Sequence, residues 1–238
     1  MKNDVLIPLV LITVLLARVA CPAQDLKPLD AVLQTAWPQN RAVNLVFHGH
    51  SVPAGYHVTP DVRPFESYPH LVHLALKQRY PKAVVNAIVT AIGGESSVPG
   101  AERFEREVLV HRPDVVFIDY GLNDRRQTLE ETEAAWRSMI RMCKERGIAV
   151  VLLTPTGDSR ADMTREDDPL RLRAELIRRL AAEEQVLLAD VSAAWLAELA
   201  AGTKEQELLS QVNHPNLRGH RLAAGVIDRT LRDAGLDP

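Results

Sequence analysis

Cysteine is scarce in this chain, which has two cysteines, Cys21 and Cys143, among 238 residues. Cys21 falls in the apolar N-terminal leader, so the rest of the chain has Cys143 alone and cannot form an intramolecular disulfide. Disulfide-stapled scaffolds are thereby excluded, and stability must come from a hydrophobic core. Cys143 shares an i, i+3, i+4, i+7 stripe with Trp136, Met139 and Ile140, which predicts a buried helix position.

An excess of charge of one sign is also lacking. The 28 lysines and arginines nearly balance the 31 aspartates and glutamates, which leaves a net charge of −3. A chain with this balance does not attract polyanions, so no nucleic-acid partner is predicted. The apolar content of 46% and charged content of 25% are ordinary for a globular protein, and the length suits one α/β domain.

A long apolar run occurs at the N-terminus, where Lys2 precedes apolar residues from Val5 to Ala17. This is the layout of a secretory signal peptide. The run is too short to cross a bilayer comfortably. We therefore expect export to the periplasm or the extracellular space.

Small residues at the end of this leader define where it is expected to be cleaved. Cleavage after Ala23 would make residues 1–23 a signal peptide and residues 24–238 a single domain. Lipidation of Cys21 is one alternative and an uncleaved membrane anchor is another. Unless Cys21 is lipidated, no membrane contact is expected after processing.

Short β-branched runs alternate with helical patterns along the chain. Five runs are apolar nearly throughout, which is typical of strands covered on both faces; they are Val43–Phe47, Ala83–Thr90, Val115–Tyr120, Ala149–Thr154 and Val186–Val191. The stretches between them are long enough for right-handed parallel crossovers. The sequence therefore predicts an α/β fold, a three-layer α/β/α sandwich with a five-stranded parallel, flavodoxin-like sheet.

A glycine-flanked turn follows the first predicted strand and reads GHSVPAG over residues 49–55. It would present the Ser51 hydroxyl at the carboxyl edge of the sheet, where ligands bind in open parallel sheets. A serine hydroxyl is a weak nucleophile that needs a base and donors for the oxyanion. Taken alone, a Gly-x-Ser turn is more often structural.

The loops after the other strands carry groups that would complete such a site. Gly93 and Gly94 follow the second predicted strand, Asn123 follows the third, and His214 precedes the last predicted helix. Each is common in an ordinary turn or a solvated loop. Together, at successive loops of one sheet edge, they supply the oxyanion donors and base that a serine nucleophile requires.

This ordered combination resembles the SGNH hydrolase family, within the wider GDSL esterases and lipases. The four family blocks appear as GHS at Ser51, GG at residues 93–94, GLND at Asn123 and HPN at His214, within a resemblance that spans roughly residues 43–224. Four blocks in order are far more specific than any one of them. The resemblance implies a serine esterase that uses no cofactor and no metal.

Carried over to these positions, the resemblance implies that Ser51 attacks an ester carbonyl while His214 takes its proton and later returns it to the leaving alcohol. The backbone N–H groups of Ser51 and Gly94 and the side chain of Asn123 would form the oxyanion hole. Gly94 fits the family spacing better than Gly93.

Two positions depart from the family pattern. Where the family has an acid before the serine and another three residues before the histidine, this chain has His50 and Gln211. The second acid normally fixes the imidazole tautomer and stabilises the imidazolium. We expect Gln211 to orient His214 through its side-chain oxygen; a backbone carbonyl, or a distant carboxylate such as Asp158 or Asp190, are the alternatives.

Three histidines near the serine, His48, His50 and His57, raise the alternative of a metal site, because residues i and i+2 of an extended segment share a face. No carboxylate–histidine motif of a metal hydrolase accompanies them, so no metal is predicted. His50 is instead a candidate substrate contact, together with Tyr56 and Arg63.

The loops expected to shape the site, residues 52–67 and 155–168, are polar. A short acyl group on a polar alcohol, such as an acetylated sugar, fits them better than a long acyl chain. The expected partner is therefore a small-molecule or polysaccharide ester. A lipid or thioester hydrolase, and a non-catalytic carbohydrate-binding relative that has lost its acid, are the two alternatives.

Overall fold

The computed structural model of the protein describes residues 24–238, and the signal peptide predicted for residues 1–23 lies outside the described residues. Five parallel strands form one sheet; they are β1 (Ala42–Gly49), β2 (Val84–Val89), β3 (Val115–Asp119), β4 (Ala149–Leu153) and β5 (Leu187–Ala189). Their order is β2-β1-β3-β4-β5. The predicted five-stranded parallel α/β fold is confirmed, and each strand lies within a few residues of its predicted run.

Helices connect and cover these strands; they are α1 (Lys27–Gln34), α2 (Ser51–Ala54), α3 (Tyr68–Arg79), α4 (Ser97–Glu107), α5 (Gly121–Asp124), α6 (Leu129–Lys144), α7 (Pro169–Glu184), α8 (Val191–Ala200) and α9 (Leu217–Asp233). A short antiparallel ribbon, β6 (Leu209–Gln211) and β7 (His214–Pro215), precedes α9. Within residues 24–238, no helix has both the length and the apolar character needed to cross a membrane.

Alternating side chains of the strands divide the core into two halves. Leu45 and Phe47 of β1 point to the half that α1, α3 and α9 cover, whereas Val46 between them points to the half covered by α4, α6 and α7. This follows from the two-residue period of a strand. The Phe47 ring stacks on Phe117 of β3 with centroids 4.3 Å apart, which ties neighbouring strands together.

Helix α6 illustrates how local sequence signals set an element. It begins with a capping box in which the Thr128 side chain accepts from Glu131 N while the Glu131 carboxylate accepts from Thr128 N. Its apolar stripe, including Trp136 and Cys143, is fully buried against the sheet. Burial raises the pKa of the Cys143 thiol to about 12, so this cysteine is an inert part of the core.

The register of the central strands brings the site-bearing loops to one edge. Gly49 at the end of β1 pairs with Asp119 at the end of β3. On the other side of β1, Ile92 N donates to Gly49 O at 3.0 Å, which holds the loop after β2 beside the loop after β1. The segments that carry Ser51, Gly94 and Asn123 therefore leave the sheet side by side.

Candidate active site

Ser51 is the first residue of the short helix α2 and is separated from the end of β1 by His50. The residue before it, His50, caps this helix, and its Nδ1 accepts from Val52 N at 3.2 Å. This tight turn directs the Ser51 hydroxyl toward His214, whose Nε2 lies 3.2 Å from Ser51 Oγ. The structure thus brings together a serine and a histidine that are 163 positions apart in the chain.

The second nitrogen of His214, Nδ1, lies 2.8 Å from the backbone oxygen of His57. A carbonyl only accepts, so Nδ1 carries the hydrogen in this contact and Nε2 is left free to accept from the serine hydroxyl. That tautomer is the one a general base needs. Burial lowers the pKa of His214, the bond to His57 O opposes this, and the neighbouring imidazoles of His50 and His57 lower it further.

The Gln211 side chain does not bond to the His214 imidazole, although the two residues pair across the ribbon. Its Oε1 accepts from Thr59 N at 2.8 Å and from Thr59 Oγ1 at 3.1 Å, while both nitrogens of His214 already have partners. The expectation that Gln211 orients the imidazole directly was therefore wrong. The His57 carbonyl is the partner of His214 Nδ1 instead.

The two distant carboxylates considered for this role are also bonded elsewhere. Asp158 accepts from the guanidinium groups of Arg125 and Arg160. Burial raises the pKa of its carboxyl, but these hydrogen bonds outweigh it and hold the pKa at about 2. Asp190 accepts from Arg178 and from Thr154 Oγ1 at 2.9 Å. Of the three alternatives, only the backbone carbonyl reaches His214.

Asn123 and the glycine loop after β2 are joined by a hydrogen bond. Asn123 Nδ2 donates to Glu95 O at 2.9 Å, which uses one of the two hydrogens of its amide. Gly94 has φ +79°, in the left-handed region that favours glycine, and a Cβ placed there would meet nothing within 4 Å. The loop therefore exposes its backbone toward open space beside Asn123.

A buried ionic cluster, which the sequence reasoning missed, fixes this glycine loop. The Glu95 carboxylate accepts from Arg103 Nε at 2.8 Å and Nη2 at 2.5 Å, and from Tyr120 OH at 2.7 Å. Tyr120 OH also lies 3.0 Å from His48 Nε2. Because the Glu95 carbonyl accepts from Asn123 Nδ2, the cluster holds the Asn123 side chain in position as well as the loop. The acid directly after Gly93-Gly94 was the available sequence signal.

His50 was a candidate substrate contact, and the structure corrects this. Its side chain is 1% exposed and lies beneath the turn that carries Ser51. His50 Nε2 is 3.4 Å from Asp119 Oδ1, and Asp119 Oδ2 accepts from Tyr68 OH at 2.9 Å. His50 therefore supports the serine turn from inside the protein, where a substrate does not reach.

The other two candidate substrate contacts lie on the loop after α2. The Tyr56 ring centroid is 5.8 Å from that of His214, and a Cβ on Gly93 would come within 2.9 Å of the Tyr56 ring. Tyr56 thus lies between the glycine loop and His214. Arg63 is exposed and pairs at 3.5 Å with Glu66.

The histidines considered for a metal site have separate partners. His48 Nδ1 lies 2.9 Å from Thr90 Oγ1, and its Nε2 lies 3.1 Å from Gly100 O. His50 faces Asp119 instead. In the part of the chain that the structure describes, no group of three or more His, Cys, Asp or Glu side chains is arranged to hold a metal ion.

A parallel α/β sheet with a hydrogen-bonded serine and histidine at its carboxyl edge is typical of serine hydrolases. This chain belongs to the GDSL-like lipase/acylhydrolase family, which it matches over residues 47–222. The prediction of an SGNH-type, ester-hydrolysing enzyme is thereby confirmed.

Several esterases are similar to this chain in sequence or in structure. An acetylxylan esterase from Geobacillus stearothermophilus is 25% identical over 177 residues, which is 68% of this chain and 78% of that protein. The crystal structure of Axe2, an acetylxylan esterase from the same organism, has a TM-score of 0.68 at 23% identity, covering 81% of this chain and 94% of that one. A two-domain esterase active on acetylated mannans has a TM-score of 0.65 at 22% identity, covering 89% of this chain and 53% of that one.

Solved variants of Axe2 that are described as catalytic mutants replace a serine, an aspartate and a histidine, and the aspartate stands three positions before the histidine. In this chain the residue three positions before His214 is Gln211.

Proposed function

We propose that the protein is a serine esterase that removes short acyl groups, above all acetyl, from a carbohydrate or a similar polar alcohol through an acyl-enzyme intermediate. The observation that carries this proposal is the 3.2 Å contact between Ser51 Oγ and His214 Nε2, with His214 Nδ1 bonded to a carbonyl. The serine has a base in reach, and the base has a hydrogen-bond acceptor behind it.

In the acylation step, Ser51 Oγ forms a bond to the ester carbonyl carbon as its proton passes to His214 Nε2. The π pair of the carbonyl moves to its oxygen, where the Ser51 and Gly94 N–H groups and the free Asn123 amide hydrogen would stabilise the charge. When the carbonyl re-forms, the bond to the alcohol oxygen breaks. That oxygen takes the proton from His214, and the alcohol leaves.

Water then repeats the sequence on the acyl-enzyme. His214 takes a proton from the water as its oxygen attacks the acyl carbon, and returns it to Ser51 Oγ when the acid leaves. The imidazolium formed in each step keeps its Nδ1 hydrogen bond to the His57 carbonyl. A neutral carbonyl fixes the ring orientation but supplies less charge stabilisation than a carboxylate.

The choice of a short acyl group on a sugar rests on two arguments. The relatives above are esterases described as acting on acetylated polysaccharides. Arg125, just after α5, and Arg160, on the loop after β4, both pair with the buried carboxylate of Asp158. Charged loops of this kind suit a polar alcohol, whereas a long acyl chain requires an apolar surface.

Covalent labelling with a fluorophosphonate probe tests the nucleophile, because such probes react with activated serines. We expect one label on Ser51 in the natural protein and none in Ser51→Ala or His214→Ala. Ser159→Ala, at an exposed serine on the loop after β4, is the control and should label normally. An unlabelled natural protein would favour the non-catalytic carbohydrate-binding alternative and overturn the proposal.

Acyl-length preference separates the esterase from the lipid or thioester hydrolase. We expect kcat/KM to be highest for acetyl esters of 4-nitrophenol and to fall as the acyl chain lengthens, and acetate to be released from acetylated xylan or mannan. A preference for octanoyl esters or acyl-thioesters would support the alternative instead.

Export belongs to the same proposal, since polysaccharides lie outside the cell. The leader consists of residues 1–23, and processing after Ala23 would give a mature chain of residues 24–238. Intact-mass measurement of the protein from a secreting host tests this. A mass that includes a diacylglyceryl group on Cys21 would show lipoprotein processing, and retention of the full chain would contradict cleavage.

A further inference from the structure

The residues that follow α2 fold into a compact hairpin over residues 55–63. Arg63 N donates to Gly55 O at 2.7 Å, and His57 N donates to Asp61 O at 3.0 Å. Tyr56 and Val62 form an antiparallel bridge between its two arms. We refer to this segment as the 55–63 hairpin. It carries the His57 carbonyl that meets His214.

The 55–63 hairpin contacts the β6–β7 ribbon at two points. One is the 2.8 Å contact between His214 Nδ1 and His57 O. The other is at Thr59, whose backbone N and hydroxyl both donate to Gln211 Oε1. Gln211 and His214 are opposite each other in the ribbon, so both contacts run between the same two elements.

The loop after β4 also contacts the ribbon, because Ser159 N donates at 2.8 Å to Val212 O in the ribbon's turn. Thr59 and Gln211 are both exposed. A hydrogen bond between them is therefore not required to satisfy a buried group, and its effect lies in restraining the hairpin relative to the ribbon.

We propose that Gln211 is a positioning residue: its Oε1 accepts from Thr59 and thereby holds the 55–63 hairpin where the His57 carbonyl accepts from His214. We refer to this contact between Gln211 and Thr59 as the clasp. The inference rests on the serine–histidine site of the proposed function. Gln211 acts on the imidazole one step removed: it fixes the segment that fixes the histidine.

Two substitutions of similar size separate the hydrogen-bond acceptor from the bulk of the side chain. Gln211→Met removes the acceptor but keeps the length of the side chain, and Gln211→Glu keeps an acceptor for both Thr59 donors. Gln206→Met, at an exposed glutamine just before the ribbon, is the matched control. Since position 211 is exposed, all three variants are expected to fold.

Steady-state kinetics on an acetyl ester gives the first readout. We expect Gln211→Met to lower kcat about threefold to tenfold with little change in KM, as fits the loss of one or two exposed hydrogen bonds. Gln211→Glu should restore kcat to within about twofold of the natural protein, and Gln206→Met should have no effect. Equal kcat in Gln211→Met and the natural protein would contradict the inference.

The pKa of His214, followed by NMR titration of its imidazole, gives a second readout that needs no turnover. The bond to the His57 carbonyl favours the protonated ring, so its loosening in Gln211→Met should lower the pKa by about half a unit. The other titratable side chains near this ring are Tyr56, His50, His57 and His220, and the imidazole signals of the histidines are assigned separately. An unchanged pKa in Gln211→Met would overturn the inference.

Failure of the inference and failure of the proposed function remain distinguishable. A natural protein that neither labels nor hydrolyses esters contradicts the function, and the titration still tests the clasp. If the natural protein is active and Gln211→Met has the same kcat and the same His214 pKa, the role of the clasp is contradicted and the proposed function is not.

Thr59→Val provides a second variant that removes one of the two donors. It should cause part of the Gln211→Met effect, and it should cause none when added to Gln211→Met, because the shared contact is already lost. Additive effects of the two substitutions would show that Thr59 and Gln211 act independently and would overturn the clasp.

Discussion

Single residues of this site act mainly through neutral hydrogen bonds. The His57 carbonyl accepts from His214 Nδ1, and the Glu95 carbonyl accepts from Asn123 Nδ2. The His50 side chain caps the turn that carries Ser51. Because the carbonyl behind His214 carries no full charge, burial dominates and the pKa of His214 falls below its ordinary value. The His214 imidazole therefore stays unprotonated to a lower pH than an unperturbed histidine, as the base of the proposed mechanism requires.

The amide of Asn123 should contribute to turnover and little to substrate binding, because the charge it would stabilise develops only on attack. Asn123→Ala is expected to lower kcat about 100- to 1000-fold with a small change in KM. Kinetics with an acetyl ester measures this. Asn213→Ala, at a nearby loop asparagine, is the control, and a variant of Asn123 that changes KM alone would contradict the assignment to the oxyanion hole.

At the scale of elements, the glycine loop after β2 is fixed by a charged pair inside the protein. The side chains of Arg103 and Glu95 are 6% and 8% exposed, and their shortest contact is 2.5 Å. Arg103 Nη2 also donates to Thr90 O at 2.7 Å. Helix α4, through this one arginine, thus holds both the end of β2 and the loop that follows it.

Removing Arg103 should cost far more stability than removing an exposed arginine of the same helix. Arg103→Met leaves the Glu95 carboxylate buried without its main partner, which is expected to lower the free energy of unfolding by about 3 kcal/mol. Arg106→Met is the matched control, since Arg106 is 73% exposed and should change it by less than about 0.5 kcal/mol. Urea unfolding compares them, and equal effects would show that the buried pair is not stabilising.

For the whole molecule, local sequence patterns predicted the strands and the loops that carry the candidate site. Apolar runs located all five strands, and glycine, asparagine and histidine blocks located the loops that the structure brings to one edge. A contact made by a backbone carbonyl does not depend on the identity of the residue, so the sequence offered a backbone carbonyl as an alternative but did not identify that of His57. The Glu95–Arg103 pair and the His50–Asp119 contact depend on how strands and helices pack, which no single segment encodes.

Two histidines in the interior connect the fold's stability to pH. Burial lowers the pKa of His48 to about 4, helped by the nearby Arg103 charge and opposed by Glu95. Burial also lowers the pKa of His220 to about 4, opposed by Asp119. Each is mostly neutral in the folded protein at pH 4.5, while in the unfolded chain an ordinary histidine, with a pKa near 6.5, takes up a proton.

Because these folded-state pKa values are depressed, the stability that each histidine contributes is present above about pH 6.5 and is lost as the pH falls toward 4. The free energy of unfolding should therefore fall between pH 7 and pH 4.5 by about 2.5 kcal/mol for each histidine. Urea unfolding at the two pH values measures the difference. His48→Gln removes one titrating group, so the difference should shrink by about that amount. A difference that is the same in His48→Gln and the natural protein would show that His48 does not resist protonation in the folded state.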